Sequence, residues 1–344
     1  MYNRLLLVIL SILIGFSCSL AQGPTIEVLT SGTSTSLRGL SVVNENIIWV
    51  SGSKGTIGKS STGGKTWKWM TVPGFEKTEF RDIEAFDANT AIIMAAGEPA
   101  YILKTIDGGD TWKVVFENKT KGMFLDAMDF AGALQCIVIG DPIDGKPFIA
   151  RTNDSGNTWQ DVSNTEGRAA LDSGEAFFAA SGSNIRLFLN NDYLAVTGGT
   201  RSRLLKGATA LNLPILQGKE STGANAIDVF DNGFPNKPGK RITVVGGDFS
   251  ADSLLTNNCF YSTNGGKTWR KPKTPPHGYR SCVEYLSKKD ILACGLNGVD
   301  YSNDGGKTWR LVSKEGFHVC KIARIGTAIY LAGNNGKIGR VVWD

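Results

Sequence analysis

The sequence predicts an all-β fold, a seven-bladed β-propeller with four-stranded antiparallel blades, on three observations. One turn motif recurs five times, a glycine-ended apolar strand recurs seven times at a nearly constant interval, and glycine is in excess, at 42 of 344 residues. With only 11 prolines and no Gly-X-Y period, that excess reads as many tight turns between short strands. A composition of 41% hydrophobic and 20% charged residues excludes intrinsic disorder and coiled coil. The net charge of +5, from 37 basic and 32 acidic residues interspersed along the chain, is too mild to indicate a nucleic-acid partner.

Residues 1–21 read as a signal peptide rather than as part of the fold. Arg4 supplies the positive start, Leu5 to Phe16 form an apolar run too short for a stable bilayer anchor, and Ser19-Leu20-Ala21 has the form of a cleavage site. The expectation is export to the periplasm or the medium, with residues 22–344 as a single propeller domain. Lipid attachment at Cys18 is the alternative to cleavage there, although Phe16 sits where a small residue is usual. No other stretch approaches 18 uninterrupted apolar residues, so no integral membrane span is expected once the signal is removed.

The turn motif occurs as Ser60-Ser-Thr-Gly-Gly-Lys-Thr-Trp67, Thr105-Ile-Asp-Gly-Gly-Asp-Thr-Trp112, Thr152-Asn-Asp-Ser-Gly-Asn-Thr-Trp159, Ser262-Thr-Asn-Gly-Gly-Lys-Thr-Trp269 and Ser302-Asn-Asp-Gly-Gly-Lys-Thr-Trp309. Each copy lies between two short apolar strands, as a hairpin turn would. Asp107, Asp154, Asn264 and Asp304 offer a side-chain oxygen to the turn's own N–H groups, and the glycines supply positive φ. Trp67, Trp112, Trp159, Trp269 and Trp309 begin the returning strands with a large apolar anchor. This is the Asp-box. The first copy has Thr62 in place of the Asp and is expected to lose its side-chain acceptor.

The motif tryptophans are 45, 47, 110 and 40 residues apart, so the long gap hides a degenerate repeat without its box, around Arg203 to Leu216. Strands ending at Gly52, Gly97, Gly140, Gly198, Gly246, Gly295 and Gly333 give an independent ruler with a mean spacing of 47. A period of about 40 to 50 residues with four short strands is a propeller blade. The last unit has three strands, while Thr25-Ile-Glu-Val-Leu-Thr30 stands alone before the first complete unit. That strand is expected to complete blade seven and close the ring.

In a propeller the Asp-boxes spread around the outer rim of one face and cannot converge on a single ligand, so their expected role is structural. On the opposite face, the first strands begin Leu37-Arg38, Phe80-Arg81, Tyr279-Arg280 and Phe317-His318. These belong to blades one, two, six and seven, contiguous after closure. Arg38, Arg81, Arg280 and His318 are therefore expected to form a basic binding arc at one mouth of the channel, with the loops around Asp141 and Asp248 beside it. The alternative is that the arginines simply pair with neighbours such as Asp82 or Asp126.

The mature chain keeps five cysteines, Cys136, Cys259, Cys282, Cys294 and Cys320, in apolar strand-like runs. Their spacing has no CxxC and fits no zinc pattern, so neither a metal site nor any other cofactor is expected. Cys282, Cys294 and Cys320 lie on neighbouring strands, and the sequence leaves open a disulfide among them or buried free thiols.

Units of the form Gly52-Ser-Lys-Gly-Thr-Ile-Gly-Lys-Ser-Ser-Thr-Gly-Gly-Lys-Thr-Trp67, ending with Gly333-Asn-Asn-Gly-Lys-Ile-Gly-Arg340, resemble the propellers of the photosystem II stability/assembly factor family and of wider Asp-box (BNR-repeat) exported proteins. The resemblance implies a seven-bladed, non-catalytic, exported scaffold for an envelope complex, with an arginine patch on one face that docks a membrane-protein partner; Arg38, Arg81 and Arg280 are the positions here that could carry such a patch. Two other readings stand beside it. A sialidase-like glycoside hydrolase would need an arginine triad and a Tyr–Glu pair; Glu284 and Tyr285 are the nearest pair, but adjacent strand residues point to opposite faces. A lectin-like glycan binder would use Trp49, Trp69 or loop aromatics.

Overall fold

The computed structural model describes residues 23–30, 32–230 and 239–343; the expected signal peptide and Cys18 lie outside them. Seven antiparallel sheets follow one another. Blade one is Leu37–Val42, Ile48–Gly52, Thr56–Ser60 and Lys68–Thr71, and blade two is Phe80–Ala85, Ala91–Ala95, Ala100–Thr105 and Lys113–Asn118. Blade three is Leu125–Ala131, Gln135–Ile143, Lys146–Thr152 and Gln160–Asp161. Blade four, the degenerate repeat, is Ile185–Leu187, Tyr193–Val196, Arg203–Lys206 and Thr209–Asn212, its missing box replaced by a tight turn with Gly207 at φ +54°. Blade six is Cys282–Tyr285, Ile291–Gly295, Gly298–Ser302 and Arg310–Ser313.

Blade five departs from the four-stranded rule. Thr222–Phe230, Arg241–Asp248 and Cys259–Ser262 are regular, but the outer strand shrinks to Arg270, which exchanges backbone bonds with Tyr261 at 2.9 and 3.0 Å. On its inner side the sheet gains the short pieces Gly198–Gly199 and Glu175–Ala176.

Blade seven is closed as expected. Thr25–Thr30 pairs antiparallel with Ile338–Val342, outside Ile329–Ala332 and Val319–Ile322, from Thr25 opposite Val342 to Thr30 opposite Ile338. The inner strands of successive blades touch in order around the ring, ending with Val319–Ile322 against Leu37–Val42. The apolar core is accordingly divided into layers between blades: Trp49, Phe80 and Ile83 between blades one and two, for example, and Ile48, Phe317 and Tyr330 across the closure. The strand-two glycines fit this packing: a Cβ on Gly52 or Gly295 would lie 2.2 Å from the carbonyl oxygen of Ser36 or Tyr279.

The Asp-boxes are the hairpin turns the sequence predicts. Asp107, Asp154, Asn264 and Asp304 each accept the N–H of the threonine four residues on at 3.0 Å. The hydroxyls of Thr105, Thr152, Ser262 and Ser302 accept the N–H of the second small residue at 2.9 to 3.0 Å. Bonds from Thr111 and Thr158 pull the Asp107 and Asp154 carboxyls down to about 2, so both are ionised anchors. In the first copy the expectation of a lost acceptor is corrected: Thr62 Oγ1 accepts the Thr66 N–H at 2.9 Å, because a hydroxyl is also an acceptor.

Because Ile26 and Leu29 pack on the core that spans the closure, deleting Thr25–Thr30 removes both apolar contacts and an edge partner. We expect a loss of at least about 2 kcal/mol in denaturant unfolding; an unchanged midpoint would show that the closure does not stabilise the ring.

Candidate functional site

Counting along the inner strands shows how the channel is built. Ser41, Glu84, Asp129, Arg186, Asp228, Glu284 and Lys321 occupy one register position in the seven blades, each opposite the same position of the second strand. Three residues earlier stand Arg38, Arg81, Asp126, Ser183, Asn225, Ser281 and His318. In four blades the register shifts at that residue, so Arg38, Arg81, Asp126 and Asn225 sit in β-bulges. A bulge re-aims its side chain, here toward the mouth of the channel.

The same count corrects the placement of Arg280. It falls where other blades carry the apolar Leu37, Phe80, Leu125 and Phe317, and so points between blades. Arg280 is fully buried, its Nε bonded to Asp300 Oδ2 at 2.7 Å and its Nη1 to Asn297 Oδ1 at 2.6 Å and to the Tyr279 carbonyl at 2.7 Å. The aromatic-Arg pair that suggested equivalence with Arg81 is displaced by one residue, and one residue reverses the face.

Arg38, Arg81 and His318 do converge. They line a cavity of about 350 Å³ with Asp126, Phe124, Phe177, Phe178, Phe249 and Tyr279. Its floor is the segment Phe177–Ser183, which enters from the loop before blade four and crosses the channel. Arg38 Nη1 donates to the Ala180 carbonyl at 3.3 Å and Arg81 Nη1 to that of Ala179 at 3.4 Å. Ser181 Oγ donates to the Ser281 carbonyl at 2.7 Å on the far side. Gly182, at φ +66°, rests on Asp82, and a Cβ there would lie 2.3 Å from the carboxylate.

Asp141 and Asp248 hold loops rather than face the cavity. Asp141 Oδ1 accepts the N–H of Phe177 at 3.1 Å and so fixes the start of the crossing segment. Asp248 Oδ1 accepts the N–H of Ser250 at 2.9 Å, turning the chain that presents Phe249. Phe249 meets Phe178 edge-on at 5.8 Å and Tyr279 at 6.3 Å, giving the cavity an aromatic wall. These aromatics were missed in the sequence; the Phe177-Phe178 pair inside a long loop was the available sign.

The electrostatics favour an incoming anion. Burial and then the charge of Arg81 lower the pKa of Arg38. Arg81 is bound by Glu79 at 2.6 Å and lies 5.5 Å over the Phe124 ring. Asp126 is fully buried, neither carboxyl oxygen has a hydrogen-bond partner among the described residues, and burial together with Asp141 raises its pKa well above the ordinary range. His318 is held neutral, at about 4, by burial and by Arg38. Its Nε2 carries the proton, donated to Asn334 Oδ1 at 2.8 Å.

The opposite mouth holds a larger cavity, about 640 Å³, but its charges satisfy one another. Arg186 binds Asp228 at 2.8 Å, Glu284 at 3.4 Å and Asp129 at 3.5 Å, while Arg324 binds Glu84 at 2.6 Å. Burial lifts Asp129 to about 6 and Glu284 to about 7. Glu284 and Tyr285 are not brought together: the Tyr285 hydroxyl meets Thr243 Oγ1 at 2.9 Å. Nor do Arg38, Arg81 and Arg280 form a triad. Trp49 is fully buried, and Trp69 stacks on Trp67 at 5.5 Å.

The sequence profile of the family described as "Photosynthesis system II assembly factor YCF48" matches residues 25–198, half of the chain. The chain belongs to this family. Solved structures similar to this YCF48-family propeller include YCF48 bound to D1 peptide, at 19% identity over 93% of this chain and 96% of that one with a TM-score of 0.65. YCF48 from Cyanidioschyzon merolae is 17% identical over 92% and 98% with a TM-score of 0.60. The WD40 β-propeller domain of Doa1 is 11% identical over 94% and 98%, also with a TM-score of 0.60. At these identities the likeness to solved structures is one of fold. No curated protein sequence matches the chain.

Two outcomes are expected. Replacing Arg280 by Ala leaves the buried Asp300 carboxylate only its bonds to His277, at 2.8 and 3.1 Å, and should cost about 3 to 5 kcal/mol of stability; a loss under about 1 kcal/mol would mean that Arg280 is solvated. For His318, the folded value of about 4 lies below the ordinary 6.5, so between those values the unfolded chain binds a proton that the native state refuses. Its contribution should therefore fall by up to about 3 kcal/mol as pH drops from 6.5 to 4. Chemical denaturation of wild type and His318→Asn across that window should show a steeper decline for wild type, and parallel curves would contradict a neutral buried ring.

Proposed function

We propose that this protein is a non-catalytic scaffold, of the assembly-factor kind, that captures a segment of a protein partner by its terminal carboxylate in the cavity over Phe177–Ser183. The observation that carries the reading is the pairing of two guanidinium groups with an aromatic wall at one channel mouth, beside the buried Asp126 carboxyl, which is left without a close hydrogen-bond partner among the described residues. Guanidinium binds carboxylate in a fork, the aromatic wall takes an apolar side chain, and Asp126 accepts an N–H from the bound segment. That a relative's solved structure is described as bound to a D1 peptide supports a peptide as the class of ligand. The expected signal at residues 1–21 makes the cell envelope the proposed place of action, and among the described residues no helix is long and apolar enough to cross a membrane.

Arg38→Gln keeps a donor for the Ala180 carbonyl while removing the charge, and Phe249→Ser opens the wall without touching the crossing segment. Fluorescence anisotropy with short acidic, aromatic-containing peptides should show binding that needs the C-terminal carboxylate. Each variant should weaken it by about tenfold or more while retaining the wild-type melting temperature. Equal binding of amidated peptides, or of Arg38→Gln, would overturn the proposal.

A further inference from the structure

The fold assembles a group of side chains that no spacing in the sequence announces. Cys282 lies on the inner strand of blade six, Cys294 is its direct cross-strand partner, and Cys320 lies on the inner strand of blade seven. All three are fully buried, and their sulfurs lie within 4.8 Å of one another. The Cys282 and Cys320 sulfurs are 3.8 Å apart, far beyond the roughly 2.05 Å of a disulfide, and all five described cysteines are free thiols.

We propose that Cys282, Cys294 and Cys320 form a closed three-sulfur site for a soft monovalent metal ion of the Cu(I) class. The dimensions fit. With metal–sulfur bonds of about 2.3 Å, three sulfurs around one ion stand about 4.0 Å apart in a plane and about 3.8 Å apart in a tetrahedral face. The donor set discriminates as well. Zinc sites take four ligands and hard cations take oxygen, whereas among the described residues this site offers three sulfurs and neither imidazole nor carboxylate, which selects a soft ion content with three donors.

One corner is held by polar contacts: as a thiol, Cys282 donates to the Cys320 carbonyl at 3.4 Å. Cys282 Sγ accepts the Ser183 hydroxyl at 3.3 Å and the backbone N–H of Cys320 at 3.4 Å. Uptake of one Cu(I) replaces thiol protons, which leave to solvent; the ion stays monovalent and no electron is transferred. Lys321 and Arg280 stand nearby to offset the negative charge left on sulfur. Ser183 belongs to the segment that crosses the channel, so the metal corner touches the element that floors the peptide cavity. Since the sulfurs are sealed, the ion enters as blades six and seven pack together, and metal binding is coupled to folding.

The test is refolding of the full chain from denaturant, anaerobically and under reductant, with Cu(I) supplied as its acetonitrile complex. After washing with a Cu(I) chelator, one copper per chain should remain. X-ray absorption should show only sulfur neighbours, at about 2.3 Å, and the melting temperature should rise. Cys320→Ser and Cys294→Ala should retain at least about tenfold less copper, whereas Cys136→Ala and Cys259→Ala, which alter buried thiols elsewhere, should retain it in full. Refolded wild type that retains no copper, or that holds it through nitrogen or oxygen, overturns the proposal whether or not the variants fold. Full retention by folded Cys320→Ser overturns it too.

Discussion

The contact on which everything else depends is the seam between blade seven and blade one. Thr25–Thr30 caps the outside of the last sheet, but the seam is also sewn along its length. The N–H of Leu37 donates to the Gly333 carbonyl at 3.0 Å, those of Arg324 and Ile325 donate to Val42 and Val43, and the Glu45 carboxylate accepts the N–H groups of Thr327 and Ala328. Without the seam, Arg38 would have no His318 beside it, and Ser36 could not share Asn334 with that histidine. The cavity is thus a product of closure: its arginines come from blades one and two, and its histidine from the other end of the chain.

Closure leaves an axial space that the seven inner strands must fill, and the chain fills it in two ways. At one level, long charged side chains meet on the axis, with Arg186 ringed by Asp129, Asp228 and Glu284. Burying those charges is expensive, which is why Asp129 and Glu284 rise to about 6 and about 7 and why their protonation becomes more favourable in the folded state as pH falls below neutrality. At the other level, a backbone segment does the filling. Phe177–Ser183 brings carbonyl groups that need donors, and the two bulged arginines and Asn184 supply them. The segment therefore spans the axis, and the mouth above it becomes a cavity with a floor.

The blades and their closure were legible in the sequence because each rests on a local rule: hairpin chemistry repeats, and strand-two glycines mark close approaches such as that of Gly52 to Ser36. The site was legible only in part. Arg38, Arg81 and His318 could be grouped once the ring was counted, but Arg280 could not be separated from them, since its displacement comes from bulges in other blades that local sequence does not mark. The role of Phe177–Ser183 was hidden for a different reason. Its partners lie about 100 residues or more away in three other blades, so only the assembled ring shows that a loop is also the channel's filling. Thr62 was misread for the simplest reason, that a hydroxyl in the Asp position accepts the same N–H.

The two arginines of the cavity are not equivalent, and the difference decides which of them meets a ligand. Arg81 spends its Nε and Nη2 on Glu79 and its Nη1 on Ala179, so its charge is largely answered within the protein. Among the described residues Arg38 makes one hydrogen bond, to Ala180, out of the five N–H donors a guanidinium carries, and burial lowers its pKa. A desolvated cation with unused donors gains most from an incoming carboxylate, because the cost of removing it from water has already been met in folding. Asp126 does not meet that need, since its own burial favours the neutral acid. The cavity therefore presents one strongly unsatisfied positive group, an acid that exchanges hydrogen bonds, and an aromatic wall. Under the proposed function, that combination would orient a short peptide end with its carboxylate toward Arg38, its backbone toward Asp126 and its side chain against Phe249.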